Sequence, residues 1–133
     1  MTLVVDASVL GATLDPTDSI GGWAVEQLTA GAVIAPHVIH AEVASYLRRA
    51  ERLGQISPAM AALAHADLTA LAIDLLPYAP FAERVWQLRH SVTPYDAWYV
   101  AIAEAFEVPL ATLDQRLANA PGPRCSFSTP PSG

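Results

Sequence analysis

Leu3-Val4-Val5-Asp6, close to the start of the chain, is a short apolar run that stops on a carboxylate. A run this short, without polar alternation, reads as a strand buried on both faces, as in a parallel sheet. Three further runs fit the same description: Ala32-Val33-Ile34-Ala35, stopped by Pro36; Ile73 to Leu76, ended by Pro77; and Pro109 to Leu113, followed at once by Asp114. Helical patterns lie between them. Residues 18–30 are amphipathic around Trp23 and Leu28, with Gly21-Gly22 weakening the first turn. Residues 38–53 set Val43, Tyr46, Leu47, Ala50 and Leu53 on one face, and Gly54 closes that helix. Ser57-Pro58 opens another, serine as the cap and proline at the first helical position. A helix over 80–90 turns Phe81, Val85 and Leu88 inward, Thr93-Pro94 starts one over 94–107, and a short one follows Asp114. Strands alternating with helices through short connections predict an α/β domain with a mainly parallel sheet. The segment from Pro121 is rich in proline, glycine and serine. It is expected to hold one edge strand, Cys125 to Ser128, in an otherwise flexible tail.

Composition narrows the function classes. The chain has 133 residues, enough for one domain with a core that needs no disulfide, and 53% of them are apolar. No uncharged apolar run reaches the roughly 18 residues of a membrane span. The opening residues lack a basic segment before the apolar run, so they do not read as a signal peptide. Cys125 is the single cysteine, which excludes a cysteine metal site and fits a reducing cytoplasm. Thirteen acids against seven bases give a net charge of −6. All seven bases are arginine, so chemistries built on lysine, such as P-loop NTPases and Schiff-base enzymes, are excluded. An acidic chain binds nucleic acid poorly through charge alone. Arginine, however, is the base suited to forked contacts with phosphate.

Four acids stand out by position. Asp6 and Asp114 each follow a strand, and in a parallel sheet both belong at the carboxyl edge where ligands bind. Asp96 lies in the first turn of a helix that is otherwise apolar nearly all round, Ala97-Trp98-Tyr99-Val100-Ala101-Ile102-Ala103, and so is expected to be buried. Glu42 sits early in the helix after the second strand, between Ala41 and Val43. Carboxylates drawn together out of water repel one another, and a hard divalent cation such as Mg²⁺ or Mn²⁺ is the natural compensation. Such a cation also activates water and steadies charge on a phosphodiester. Ser8 and Thr112, each two residues from a site aspartate, are placed to orient a carboxylate or a metal-bound water. Arg48, Arg49, Arg52, Arg89 and Arg116 are the candidates for phosphate contact, Arg89 and Arg116 foremost.

Val-Val-Asp6-Ala-Ser8-Val-Leu, His-Ala-Glu42-Val, Pro-Tyr-Asp96-Ala-Trp-Tyr-Val-Ala-Ile-Ala-Glu and Ala-Thr112-Leu-Asp114-Gln-Arg-Leu resemble the four signature segments of PIN-domain ribonucleases, above all the VapC toxins of VapBC toxin–antitoxin modules. The likeness runs from about residue 2 to residue 118, in order and at matching spacing. It implies a three-layer α/β/α domain over residues 1–120 with a central sheet of four to five strands, residues 121–133 forming the edge strand and tail. It also implies a Mg²⁺- or Mn²⁺-dependent endoribonuclease that cleaves a structured RNA, a tRNA or ribosomal RNA loop, by attack of a metal-activated water, with Asp6, Glu42, Asp96 and Asp114 holding the metal. The partners it implies are a second copy of the chain and a VapB-like antitoxin, joined in a hetero-oligomer.

Plainer readings exist for every residue. Asp6 and Asp114 suit helix caps, Asp96 completes a capping box with Thr93, and Glu42 suits a surface position. Taken together, caps do not account for two strand-end acids plus two acids early in the matching helices. His37 and His40 have the spacing of a metal pair but no third histidine to complete a site. Trp23, Trp86 and Trp98 read as core or interface residues before base-stacking platforms. A non-catalytic interaction module of the same fold is the alternative function. A phosphatase of the haloacid-dehalogenase type ranks behind it, because Ser8 stands where that chemistry needs a second aspartate and no lysine is present.

Overall fold

The computed structural model describes residues 1–132. Five strands, β1 (Thr2–Val5), β2 (Ala32–Pro36), β3 (Ile73–Leu76), β4 (Leu110–Ala111) and β5 (Phe127–Ser128), form one sheet in the order β3-β2-β1-β4-β5. Every pairing is parallel. Helices α1 (Ala7–Ala12), α2 (Ser19–Thr29), α3 (Ile39–Arg52), α4 (Pro58–Thr69), α5 (Ala82–Gln87), α6 (Pro94–Phe106) and α7 (Gln115–Ala118) flank it. The apolar runs that marked the strands are buried because both faces of the sheet are covered: Leu3, Val4, Val5, Leu110 and Ala111 are all within 1% of complete burial. The chain winds from β1 outward to β2 and β3, then returns to place β4 on the other side of β1. The carboxyl ends of β1 and β4 therefore meet at the reversal of strand order, where such sheets open a crevice. Helix α6 lies on β1, β2 and β4 together, and its Ala97, Val100, Ile102 and Ala103 are buried. No helix among the described residues is long and apolar enough to cross a membrane.

Several boundaries differ from the sequence expectation for local reasons. Helix α1 was not anticipated; it is six residues long and owes its start to Asp6. The fourth strand is two residues, not five. Beyond Ala111 the Leu113 N–H turns to the Ser8 hydroxyl instead of a neighbouring strand. The helix expected over 80–90 is a 3₁₀ turn, Ala79–Phe81, leading into the six-residue α5, Ala82–Gln87. The edge strand starts at Phe127 instead of Cys125. On α3, Val43, Leu47 and Ala50 are buried, but Tyr46 and Leu53 are exposed. Ser57 caps α4 through the Met60 N–H at 3.1 Å, and Thr93 caps α6 through the Asp96 N–H at 3.2 Å, as their positions predict.

The paired glycines of α2 are not equivalent. A Cβ on Gly21 would stand 1.7 Å from the Asp15 carbonyl oxygen, whereas one on Gly22 meets nothing nearer than 3.6 Å. Gly21 is thus fixed by backbone approach, and Gly22 only lowers helix propensity. Thermal unfolding is expected to show Gly21→Ala destabilised by about 2 kcal/mol and Gly22→Ala stabilised by about 0.5–1 kcal/mol. Equal effects at the two positions would contradict this packing.

Candidate metal centre

Asp6 sits between β1 and α1 and serves both. Its Oδ1 accepts the N–H groups of Ser8 at 3.1 Å and Val9 at 3.3 Å, capping α1. The same oxygen accepts the Ser8 hydroxyl, and Oδ2 accepts the Thr112 hydroxyl. Each hydroxyl is oriented in turn by the segment after β4: Ser8 Oγ accepts the Leu113 N–H at 3.1 Å, and Thr112 Oγ1 accepts the Asp114 N–H at 3.0 Å. Ser8 and Thr112 therefore both act on Asp6, and Thr112 also fixes the backbone of Asp114. Asp6 is 7% exposed and Thr112 fully buried. Burial pushes the Asp6 carboxyl above its ordinary range, and the donated hydrogen bonds offset only part of that.

The other three acids come from separate elements. Asp114 Oδ1 caps α7 through the N–H groups of Arg116 at 2.9 Å and Leu117 at 3.2 Å. Asp96, in the first turn of α6, is half-buried; no backbone N–H donates to its carboxylate. Glu42, in the first turn of α3, is half-buried as well, and its Oε1 accepts the hydroxyl of Tyr99 at 2.6 Å. Burial raises the Asp96 carboxyl, and the charges of Asp114 and Asp6 raise it further against the help of Thr93 and Arg116. Glu42 is raised by burial, opposed by the Tyr99 hydrogen bond, and raised again by Asp96 and Asp6. The four acids are thus linked electrostatically: Asp6 and Asp114 act on Asp96, and Asp6 and Asp96 act on Glu42. Among the described residues no three form a ready metal cage. The donor set still suits a hard divalent cation. It is all oxygen and offers open positions on Asp96, on the second oxygens of Glu42 and Asp114, and on Asp6 Oδ2, which has one hydrogen bond. Magnesium-like ions typically take one or two carboxylates and keep several waters.

Two clefts flank this line of acids. One, of about 360 Å³, is lined by Asp96 and Asp114 together with Arg89, Arg116 and Thr93. The other, of about 300 Å³, is lined by Ser8, Glu42, Ser45, Tyr46 and Arg49. Arg48 and Arg52 lie exposed on α3 and line neither.

Tyr99 went unremarked in the sequence, where it reads as one more large residue in an apolar helix. It is 1% exposed, and its hydroxyl reaches a carboxylate 57 positions away in the chain. The available signal was spacing, because Tyr99 lies three residues after Asp96 and so shares its helix face.

The fold and this acidic centre define a class. The model of the PIN domain family matches residues 3–123, and the chain belongs to that family. Its relatives are VapC ribonucleases. Ribonuclease VapC1 of Mycobacterium tuberculosis is 50% identical over 94 residues, 70% of this chain and 71% of the relative. Ribonuclease VapC9 of the same organism is 34% identical over 130 residues, 97% of this chain and 98% of the relative. The crystal structure of M. tuberculosis VapC20, described as a sarcin–ricin loop cleaving toxin, superposes with a TM-score of 0.64 at 18% identity, over 86% of this chain and 92% of that one.

Two outcomes are expected of this centre. Tyr99→Phe keeps the ring and removes the donor that orients Glu42. Titration calorimetry should show Mg²⁺ or Mn²⁺ bound about tenfold more weakly, and unchanged affinity would remove Tyr99 from the centre. The raised carboxyls also bind protons more tightly in the folded than in the unfolded chain. Their contribution therefore favours the fold below the ordinary carboxylate range and is lost as pH rises through the raised values. A cation that offsets the repulsion should then raise the melting temperature more at neutral than at mildly acidic pH. Calorimetric scans showing a pH-independent gain would exclude these carboxylates as its ligands.

Proposed function

We propose that the acidic centre is the catalytic site of a toxin endoribonuclease that holds Mg²⁺ or Mn²⁺ and cuts the unpaired loop of a structured RNA, a tRNA or ribosomal RNA. The observation that carries this reading is the convergence of Asp6, Glu42, Asp96 and Asp114 from four elements into one field with no lysine and no ion-paired arginine among them. Among the described residues the one ion pair is Arg84–Glu104. The names of the VapC relatives support ribonuclease chemistry, and divalent-metal dependence is general to PIN-domain ribonucleases.

A bound divalent cation supplies Lewis acidity, lowering the pKa of a ligated water and balancing charge on the phosphodiester. The chain's own residues do the rest. Asp96, Asp114 and Glu42 offer open carboxylate oxygens as ligands, direct or through water. Asp6 is locked by Ser8 and Thr112, so its one open direction is fixed before any ligand arrives. Arg116, whose charge reaches Asp96, and Arg89 stand at the cleft wall where the phosphates flanking the scissile bond would lie. The net charge of −6 disfavours indiscriminate RNA binding and supports recognition by shape and by unstacked loop bases. Membership among the VapC proteins supports a small VapB-like antitoxin as inhibitor, and a homodimer would pool the few arginines of two chains.

Purified protein should cleave one RNA among a panel of tRNAs and ribosomal loop hairpins, the sarcin–ricin hairpin included, only when Mg²⁺ or Mn²⁺ is present. Asp96→Asn is the cleanest variant, since no backbone N–H depends on that carboxylate. Its cleavage rate is expected to fall by at least about a hundredfold, with the melting temperature preserved. Cleavage as fast as the parent would sink the assignment of Asp96.

A further inference from the structure

Trp86 is the large aromatic side chain that the core does not explain. Helix α5 turns Val85 and Leu88 inward, at 1% and 2% exposure, and leaves Trp86 64% exposed. The sequence expectation of a core or interface tryptophan therefore fails for burial in this chain. Trp86 is also not alone. The Arg89 guanidinium lies over the indole with Cζ 4.5 Å from the ring centroid, and Arg89 Nη1 donates to the Trp86 carbonyl oxygen at 2.8 Å. These two contacts fix the arginine against the ring. They leave its charge unpaired among the described residues, where Arg84–Glu104 is the ion pair. Arg89 also lines the cleft that contains Asp96, Asp114 and Arg116.

We propose that Trp86 and Arg89 form a stacking platform at the rim of the acidic cleft that seats one unpaired base of the RNA substrate beside the phosphate to be cut; this rests on the endoribonuclease reading above. Three features select this occupant. Indole and guanidinium both stack on nucleobases, whatever the base, because every base has a π-face. The guanidinium is positive in a chain whose net charge is −6, and with Arg116 it gives this cleft two cations to complement an anionic ligand. The cleft it borders leads to the carboxylates proposed to do the chemistry, so a base held here places its own phosphate group near them. Stacking also answers the affinity problem of an acidic nuclease: it contributes binding that does not depend on net charge, and it is available only from bases free of a duplex. Selection of loops over helices then follows from the platform itself.

The test uses the full chain carrying Asp96→Asn to suppress cleavage, with Mg²⁺ present. Its probe is a fluorescein-labelled RNA hairpin with an unpaired loop of mixed sequence, followed by anisotropy. Trp86→Ala is expected to weaken binding about tenfold, Trp86→Phe to retain most of it, and the dependence of affinity on salt to stay the same in both. Arg89→Ala should weaken binding and reduce the salt dependence by about one phosphate contact. A fully paired duplex of the same stem should be affected little by either Trp86 variant. Both positions are exposed, so melting temperatures should match the parent, and sedimentation reports the oligomeric state of each variant. If the parent binds the hairpin and the Trp86 and Arg89 variants bind it equally well, the platform is overturned while the nuclease reading stands. If the parent binds neither this hairpin nor any RNA of the tRNA and ribosomal panel, both fall together. Trp86→Ala that disrupts self-association but keeps full RNA affinity would assign this face to a protein contact and overturn the proposal.

Discussion

One buried carboxylate organises the carboxyl edge of the sheet in this VapC-family domain. Asp6 takes backbone N–H groups from α1 and hydroxyls from Ser8 and Thr112, and those hydroxyls take the N–H groups of Leu113 and Asp114. The ends of β1 and β4 are separated by more than a hundred residues in the chain, yet they are tied through two side-chain oxygens on one acid. The arrangement substitutes for strand pairing just where the sheet stops, which is why β4 is short. It also means that the position of Asp114 relative to Asp6 is set by hydrogen bonds the fold itself requires. Disturbing the fold here and disturbing the site are the same act.

That constraint has an energetic cost which the rest of the site does not repay internally. Burial raises Asp6, Glu42 and Asp96 alike, and neighbouring acids raise Glu42 and Asp96 further. Hydrogen bonds from neutral hydroxyls recover part of the lost hydration, but none supplies a positive charge. Arg116 reaches Asp96 from the cleft wall and remains exposed. A site left electrostatically incomplete by its own chain is suited to complete itself with a cation from solution, and then to meet an anion. On the proposed reading, an acidic protein handles RNA at the one place where a bound cation and the cleft arginines would stand together.

Much of the architecture was legible in the sequence because a doubly covered parallel sheet leaves a plain signature. Leu3-Val4-Val5 and Ala32-Val33-Ile34-Ala35 are apolar throughout, and proline or aspartate ends each run. Ser57 and Thr93 announced their helices because caps are local chemistry. What escaped notice was either too short or too distant. Helix α1 has six residues and no room for a periodic pattern. The Tyr99–Glu42 bond joins positions that no local rule connects. Trp86 was legible in principle: with Val85 and Leu88 inward, the intervening position points out, and only the general habit of tryptophan suggested otherwise.

The sequence also posed a choice between capping and function that the structure dissolves. Asp6 and Asp114 are helix caps, each spending Oδ1 on two backbone N–H groups, and the charges of both still act on Asp96. A cap fixes the orientation of a carboxylate more firmly than packing does, because it binds the side chain to the backbone that carries it. One oxygen held by the helix therefore aims the other. For Asp114 an amide would preserve the cap and lose only charge. For Asp6 the second oxygen accepts the Thr112 hydroxyl, so an amide there would keep the cap on Oδ1 but oblige that hydroxyl to turn and accept instead of donate. The carboxylate at Asp6 is thus favoured twice, once by the charge of the site and once by the Thr112 hydroxyl that donates to its second oxygen.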